Sequence, residues 1–287
     1  MITKYAKAKV NLTLDILGKR DDGYHEVEMI MQSIDLADIV TLEDAEDIIV
    51  ETDLAELADD RTNLAYRAAE LLRDTYGEGR GAHIRIEKKI PLAAGLAGGS
   101  SDAAAVLLGL NELWKLGLDI DKLTALGARL GSDVPFCMIG GTMLAKGRGE
   151  VLARVSSLGE YPLVLVKPPL GVSTAAAYGG YRAENVETHP TADRMIRAIE
   201  SGNITRVYEA LGNVLETVTI PLRPEIDEIK RALVEAGADK AMMSGSGPTV
   251  FAFAKSAEDA KRIADTMKQK YSTYTICTTA TCQGEEI

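Results

Sequence analysis

The chain predicts an α+β or mixed α/β architecture in two domains, and three observations carry that expectation. Segments of alternating apolar and polar residues are interspersed with segments whose apolar residues recur every three or four positions, so strands and helices follow one another. No internal repeat or low-complexity tract interrupts them. At 287 residues, 46% of them hydrophobic, the chain exceeds the roughly 150 residues of a typical domain and has apolar content for two cores.

Residues 9–15 alternate as a strand and run into a turn at Asp21, Asp22 and Gly23. Strands follow at 39–42, 48–50 and 83–87, the last with Ile84 and Ile86 alternating with polar neighbours. The acidic run 43–60 reads as a solvated face with loops. Leu64, Ala68, Leu71 and Leu72 set an amphipathic helix over 63–75. The longest apolar stripe, from Ala103 to Trp114, sets a second helix that opens at Ser100 or Ser101, with either serine as its cap, and stops at Gly117. A third helix spans 121–130 and is closed by Gly131, after which Pro135 biases Val134 towards extended backbone. Residues 136–139 and 142–145 read as a hairpin joined at Gly140 and Gly141. The pattern loosens over 149–161 and the apolar run 163–166 opens a second unit, which divides the chain into domains 1–155 and 156–287. Helices are expected there at 191–201, 205–215, 224–236 and 257–270, with a compact glycine turn over 242–247 and a strand at 249–254.

The net charge of −11 argues against non-specific nucleic-acid or membrane binding, because both need a basic face. Anionic ligands must therefore be held by local features. No apolar run approaches the ~18 residues that span a bilayer, and Met1, Ile2, Thr3 and Lys4 lack a signal-peptide core, so a cytoplasmic protein is expected. Cys137, Cys277 and Cys282 form an odd set without CxxC spacing, which points to reduced thiols rather than disulfides or zinc.

One segment suits a polyphosphate. Pro91, Leu92, Ala93, Ala94, Gly95, Leu96, Ala97, Gly98, Gly99, Ser100 and Ser101 follow a strand and open directly into the strongest helix. Such a junction aims unpaired N–H groups and the positive helix end outwards, while the glycines let a phosphate approach the backbone. The Gly-Lys-Ser/Thr of a P-loop, a GxGxxG turn and the HRD and DFG signatures of protein kinases are all missing. By pattern alone the same residues serve equally as a ligand-free helix cap. Asp133, pinned between Gly131 and Pro135, reads either as a turn residue or as a carboxylate fixed at a cleft edge. Lys9 and Asn11 share one face of their strand, with Lys7 if the strand extends so far.

The company this segment keeps is specific. It resembles the central motif of the GHMP small-molecule kinases, the superfamily of galactokinase, homoserine kinase and mevalonate kinase. Ala8-Lys9-Val10-Asn11-Leu12 resembles the first motif of that family, and Met243-Ser244-Gly245-Ser246-Gly247-Pro248 the third. Asp22-Gly23-Tyr24-His25, Leu130-Gly131-Ser132-Asp133-Val134-Pro135 and Gly171-Val172-Ser173-Thr174 narrow the resemblance, over essentially the whole chain, to a branch acting on a cytidine-diphosphate-linked methylerythritol in non-mevalonate isoprenoid precursor synthesis.

The resemblance implies a two-domain GHMP kinase fold: an N-terminal, ribosomal-protein-S5-domain-2-like ATP domain and a C-terminal ferredoxin-like substrate domain. It implies that residues 91–101 cradle ATP and that Asn63 reaches the adenine. Asp133 becomes the catalytic base with Lys9 beside it, for direct in-line transfer to the 2-hydroxyl of the acceptor without a phosphoenzyme. Asn11, Tyr24, His25, Thr174 and Tyr178 bind the acceptor, His25 at the cytosine edge and the two tyrosines flanking the ring. Mg²⁺ accompanies ATP, held by phosphates and few protein groups, and the sequence shows no metal-ligand cluster. The expected partner is a small molecule, with no nucleic acid and no membrane, and the protein itself a monomer or weak homodimer. Ala94 and Ala97 replace glycines that many members carry, which fits if both keep negative φ, and Met31 stands where some relatives have an aromatic residue. Phosphorylation of another alcohol, such as phosphomevalonate or homoserine, a nucleotide sensor without catalysis, and RNA binding are the competing readings.

Overall fold

The computed structural model of the chain describes residues 1–54, 57 and 62–284. Its first feature is a long antiparallel hairpin, β1 (Ile2–Lys19) and β2 (His25–Ala45), closed by the expected turn. Residues 9–15 and 39–42 are parts of these strands. Their full length escapes an alternation pattern because positions 8–16 of β1 are buried without interruption, as on a strand covered on both faces. Next come β3 (Ile48–Thr52), α1 (Leu64–Tyr76) and β4 (Gly81–Glu87), with β3 parallel to β4 and β4 antiparallel to β2. The acidic run 43–60 falls on the end of β2 and on β3, and residues 55–56 and 58–60 of it lie outside the described residues.

Then follow α2 (Gly98–Leu113), α3 (Ile120–Leu130), α4 (Val134–Ile139), β5 (Thr142–Lys146) and β6 (Val151–Arg154). Residues 136–139 are helical, not the first arm of a hairpin. Pro135 sits in the first turn of α4, where its missing N–H costs nothing and its φ suits the helix, and Gly140 N–H closes the turn on the Phe136 carbonyl. The hairpin partner of β5 is β6, and β5 also pairs with β2. Helices α1 and α2 cover one face of this sheet through Ala68, Leu72, Val106, Leu107 and Leu110 against Val40, Leu42 and Ile84.

The chain changes sheets between Arg154 and Pro162. It continues through β7 (Pro162–Lys167), α5 (Thr174–Gly180), α6 (Ala192–Glu200), α7 (Ile204–Ala210), β8 (Gly212–Asn213), α8 (Glu216–Leu222), α9 (Glu225–Glu235), β9 (Lys240–Met243), β10 (Val250–Phe253), α10 (Ala257–Lys270) and β11 (Thr275–Ala280). The second sheet runs β11-β7-β10-β9, antiparallel throughout, and α9 and α10 pack on one face of it. This is the ferredoxin-like order. Its other face, with Leu163, Leu165, Phe251 and Phe253, shares a core with Ala8, Val10 and Leu12 of β1 and Met195 and Val207 of α6 and α7.

Residues 205–215 are not one helix. Helix α7 stops at Ala210, and Gly212 and Asn213 form β8, a parallel neighbour of Thr13 and Leu14 on β1. A side chain at 212 would collide with Pro190, so the helix yields to a close backbone crossing. The three cysteines are free thiols. No helix among the described residues is long and apolar enough to cross a membrane.

Candidate active site

A cavity of about 750 Å³ lies where the start of α2, β1, the β1–β2 turn and α5 converge, a size that suits a small-molecule site. Along one wall runs the glycine segment: Pro91, Leu92, Ala93, Ala94, Gly95, Ala97, Gly98, Gly99 and Ser100 all line it. Leu96 and Ser101 do not. Leu96 is buried in the shared core, and the Ser101 hydroxyl donates to the Lys7 carbonyl at 2.7 Å. Neither serine caps α2. The helix begins at Gly98 behind Ala97, whose φ of +60° corrects the expectation of negative φ there; Ala93 is left-handed as well at +48°. Such backbone costs an alanine about 1 kcal/mol and persists only where its surroundings impose it. Between the two alanines the segment meets the second glycine turn: the Ser244 hydroxyl donates to the Gly95 carbonyl at 2.9 Å, and a Cβ on Gly95 (φ +74°) would overlap the Ser244 carbonyl.

Across from the loop, the Lys9 ammonium donates to Asn11 Oδ1 at 2.7 Å and stands 3.7 Å from Asp133 Oδ2. Asp133 precedes α4 directly, so the helix start fixes its direction. Lys7 leaves this face. The β1–β2 register shifts between Lys7 and Lys9, and the Lys7 ammonium reaches Asp35 and Cys282 instead. Burial, with the Asp133 charge adding to it, pushes the nearby Cys137 thiol up to about 12, so it stays protonated beside the carboxylate.

The far end of the cavity holds Tyr24, His25, Thr174 and Tyr178. The His25 and Tyr178 rings lie 5.6 Å apart and tilted. Burial first, then the Lys19 charge, lowers the His25 imidazole, which is neutral at pH 7. Burial, with Asp133 adding to it, pushes the Tyr178 hydroxyl well above its usual value. Asn63 does not line the cavity; its Oδ1 accepts from Ala65 N–H and caps α1, whose Leu64 is the lining residue. Met31 is fully buried in the core, away from the cavity. Among the described residues no three His, Cys, Asp or Glu side chains form a group that could hold a metal.

Two features of the site were not legible. Arg148 lies over the Tyr24 ring at 4.9 Å, its backbone N–H and guanidinium both held by Glu150. The Gly147-Arg148-Gly149 run, with both glycines at positive φ, is the local signal for it. Lys88 is the other. Its ammonium is buried between Asp38 and Asp102, and the second Asp38 oxygen accepts from Lys89 and Ile90 N–H. One lysine thus closes the glycine loop at both ends, before Pro91 and after Ser101.

Burial pushes the Asp102 carboxyl from 3.8 up to about 7 against the pull of Lys88, with Asp38 adding to the rise. Between those values the folded state holds the proton that the unfolded chain has released, so this group lowers stability as pH rises from about 4 to about 7. Urea-unfolding midpoints measured across that window should decline, and Asp102→Asn should flatten the decline; an unchanged slope in the variant would exclude Asp102 as its source.

Comparison with known proteins bears on this site. Residues 63–141 match the family described as GHMP kinases N terminal domain, and residues 195–273 match GHMP kinases C terminal. A 4-diphosphocytidyl-2-C-methyl-D-erythritol kinase of Brevibacillus brevis is 48% identical over 93% of this chain and 92% of the relative. One of Bacillus cereus is 53% identical over 86% of each. A solved 4-(cytidine 5'-diphospho)-2C-methyl-D-erythritol kinase superposes with a TM-score of 0.84 at 34% identity, over 99% of this chain and 100% of the other. The homoserine kinase of Cytophaga hutchinsonii shares the fold, at a TM-score of 0.72 and 20% identity, over 97% and 95% of the two chains. The chain belongs to the GHMP kinases, in the group of members named 4-diphosphocytidyl-2-C-methyl-D-erythritol kinase.

Proposed function

We propose that the protein transfers the γ-phosphoryl group of ATP directly to the 2-hydroxyl of 4-diphosphocytidyl-2-C-methyl-D-erythritol, a step in isoprenoid precursor synthesis. The observation that carries this reading is the placement of the Lys9–Asp133 pair in one cavity, between a glycine loop at a helix start and the Tyr24, His25 and Tyr178 group. Residues 1–155 supply the nucleotide side, and 156–287 supply Thr174, Tyr178 and the second glycine turn.

The N–H groups at the start of α2 bind the triphosphate, favoured by the helix dipole. Asp133 accepts the acceptor's hydroxyl proton as the P–O bond forms, and Lys9, 3.7 Å away, steadies the charge that develops. Tyr24 and Tyr178 flank the cytosine while neutral His25 reads its hydrogen-bonding edge. The oxygen donors facing the loop, chiefly Asp133, suit Mg²⁺ held mostly by phosphates, which would neutralise charge on the transferring group.

A coupled assay of ADP release tests the reading. ADP should appear with the cytidine diphosphate substrate and not with mevalonate, homoserine or galactose. No substrate-dependent ADP, or a preference for one of the other alcohols, would overturn it.

A further inference from the structure

The second glycine turn reaches the site from the other half of the chain, and it comes close. A Cβ on Gly245 would stand 3.1 Å from the Gly95 carbonyl, 3.4 Å from Lys9 Nζ and 3.5 Å from Asn11 Oδ1. A turn this near the phosphate loop and the catalytic lysine must be held to within a few tenths of an ångström. Within it the Gly247 N–H donates to the Ser244 carbonyl at 2.8 Å and the Ser244 hydroxyl reaches the Gly95 carbonyl at 2.9 Å, but Ser244, Gly245, Ser246 and Gly247 are small, two of them glycine, and further restraint is supplied from outside.

It comes from three side chains spaced three residues apart. Asn213 is 7% exposed. Its amide nitrogen donates to the Met243 carbonyl at 3.0 Å and the Gly245 carbonyl at 2.8 Å, and its Oδ1 accepts from Leu215 N–H at 3.0 Å. Both donors and the acceptor are in use. Glu216 Oε1 accepts from Met243 N–H at 2.9 Å, while its other oxygen pairs with the Lys230 ammonium at 2.6 Å. The Thr219 hydroxyl donates to the Ser246 carbonyl at 3.2 Å. Asn213 is also the last residue of β8, the parallel neighbour of β1, and β1 carries Lys9 and Asn11. Asn213 therefore holds the turn through its side chain and pairs through its backbone with the strand that presents the catalytic lysine, tying the two together.

We propose that Asn213, supported by Glu216 and Thr219, is the positioning residue that fixes the second glycine turn over the phosphate loop and beside Lys9, and thereby sets the geometry of transfer. The proposal rests on the kinase reading above. Asn213 itself touches neither substrate; it acts through backbone carbonyls.

Asn213→Asp is nearly isosteric and turns a double donor into an oxygen facing two carbonyl oxygens. The expected result is a fall in kcat of about 100-fold, the scale of a misplacement near 1 Å. The KM for ATP and the Kd for ADP by calorimetry should rise about tenfold, in line with a lost pair of buried hydrogen bonds. The KM for the acceptor should rise less than that for ATP, because Tyr24, His25 and Tyr178 are not touched and the turn reaches the acceptor side mainly through the Ser246–Thr174 hydroxyl contact at 3.1 Å. Loss of folded enzyme cannot produce that split. A folded variant with kcat, ADP affinity and both KM values near wild type would overturn the proposal, as would equal rises in the two KM values. If Asn213→Asp does not fold, Thr219→Val decides: a severalfold fall in kcat with the same split supports the proposal, and unchanged kinetics overturn it. Wild-type protein that binds ADP but ignores the cytidine diphosphate substrate would sink the kinase reading alone, leaving the ADP affinities to judge Asn213. If the wild type binds no ADP, both fall.

Discussion

Asp133→Asn is expected to lower kcat by about 10²–10⁴-fold, the usual worth of a general base, while the Kd for ATP stays close to wild type. The asparagine keeps the shape of the side chain and its place ahead of α4, so the cavity and the phosphate loop are undisturbed. What it removes is the proposed acceptor for the hydroxyl proton and the carboxylate that stands 3.7 Å from Lys9. Steady-state turnover together with calorimetric ATP binding separates these contributions. Turnover like wild type would remove Asp133 from the mechanism, and lost ATP binding would show that its charge serves the nucleotide instead.

Lys88→Met should cost about 3–5 kcal/mol of folding stability, because it strands two carboxylates in the interior. Lys88, Asp38 and Asp102 have side chains 1%, 0% and 3% exposed, so water cannot replace the lost ammonium. For a chain of this size the thermal midpoint should drop by roughly 10 °C, with part of the loss recovered at lower pH as Asp102 takes up its proton. Scanning calorimetry at two pH values reads both effects. A drop below about 2 °C would mean that the loop is not closed through this lysine.

The parts of the site legible in the sequence were those whose chemistry needs neighbouring residues. Small residues in succession at a helix start, Gly95, Gly98 and Gly99, mark the loop that lines the cavity. Amphipathic helices were equally plain, and α10 occupies the predicted 257–270 because Ser256 caps it and its apolar stripe is regular. What stayed hidden is non-local. The Lys88 cluster joins Asp38 of β2 and Asp102 of α2 to a lysine just past the end of β4, and nothing in their separate surroundings marks a buried lysine. Residues 136–139 misled because Gly140 and Gly141 also punctuate hairpins, and Pro135 fits a helix start as well as an extended segment. Ala97 misled for a different reason: side-chain chemistry favours negative φ there, yet the backbone turns through φ +60° immediately ahead of α2. The splitting of 205–215 was hidden because β8 exists only through its pairing with β1.

That pairing has a consequence for how the molecule assembles. Thr13 and Leu14 are made early, and their partners Gly212 and Asn213 emerge from the ribosome only after most of the chain. A contact across so much sequence closes a long loop, which slows folding without weakening the finished structure much. In the interval the outer edge of β1 offers unpaired backbone groups to any other nascent chain. Refolding in vitro should therefore be sensitive to protein concentration, and the edge of β1 is where half-made molecules would first stick.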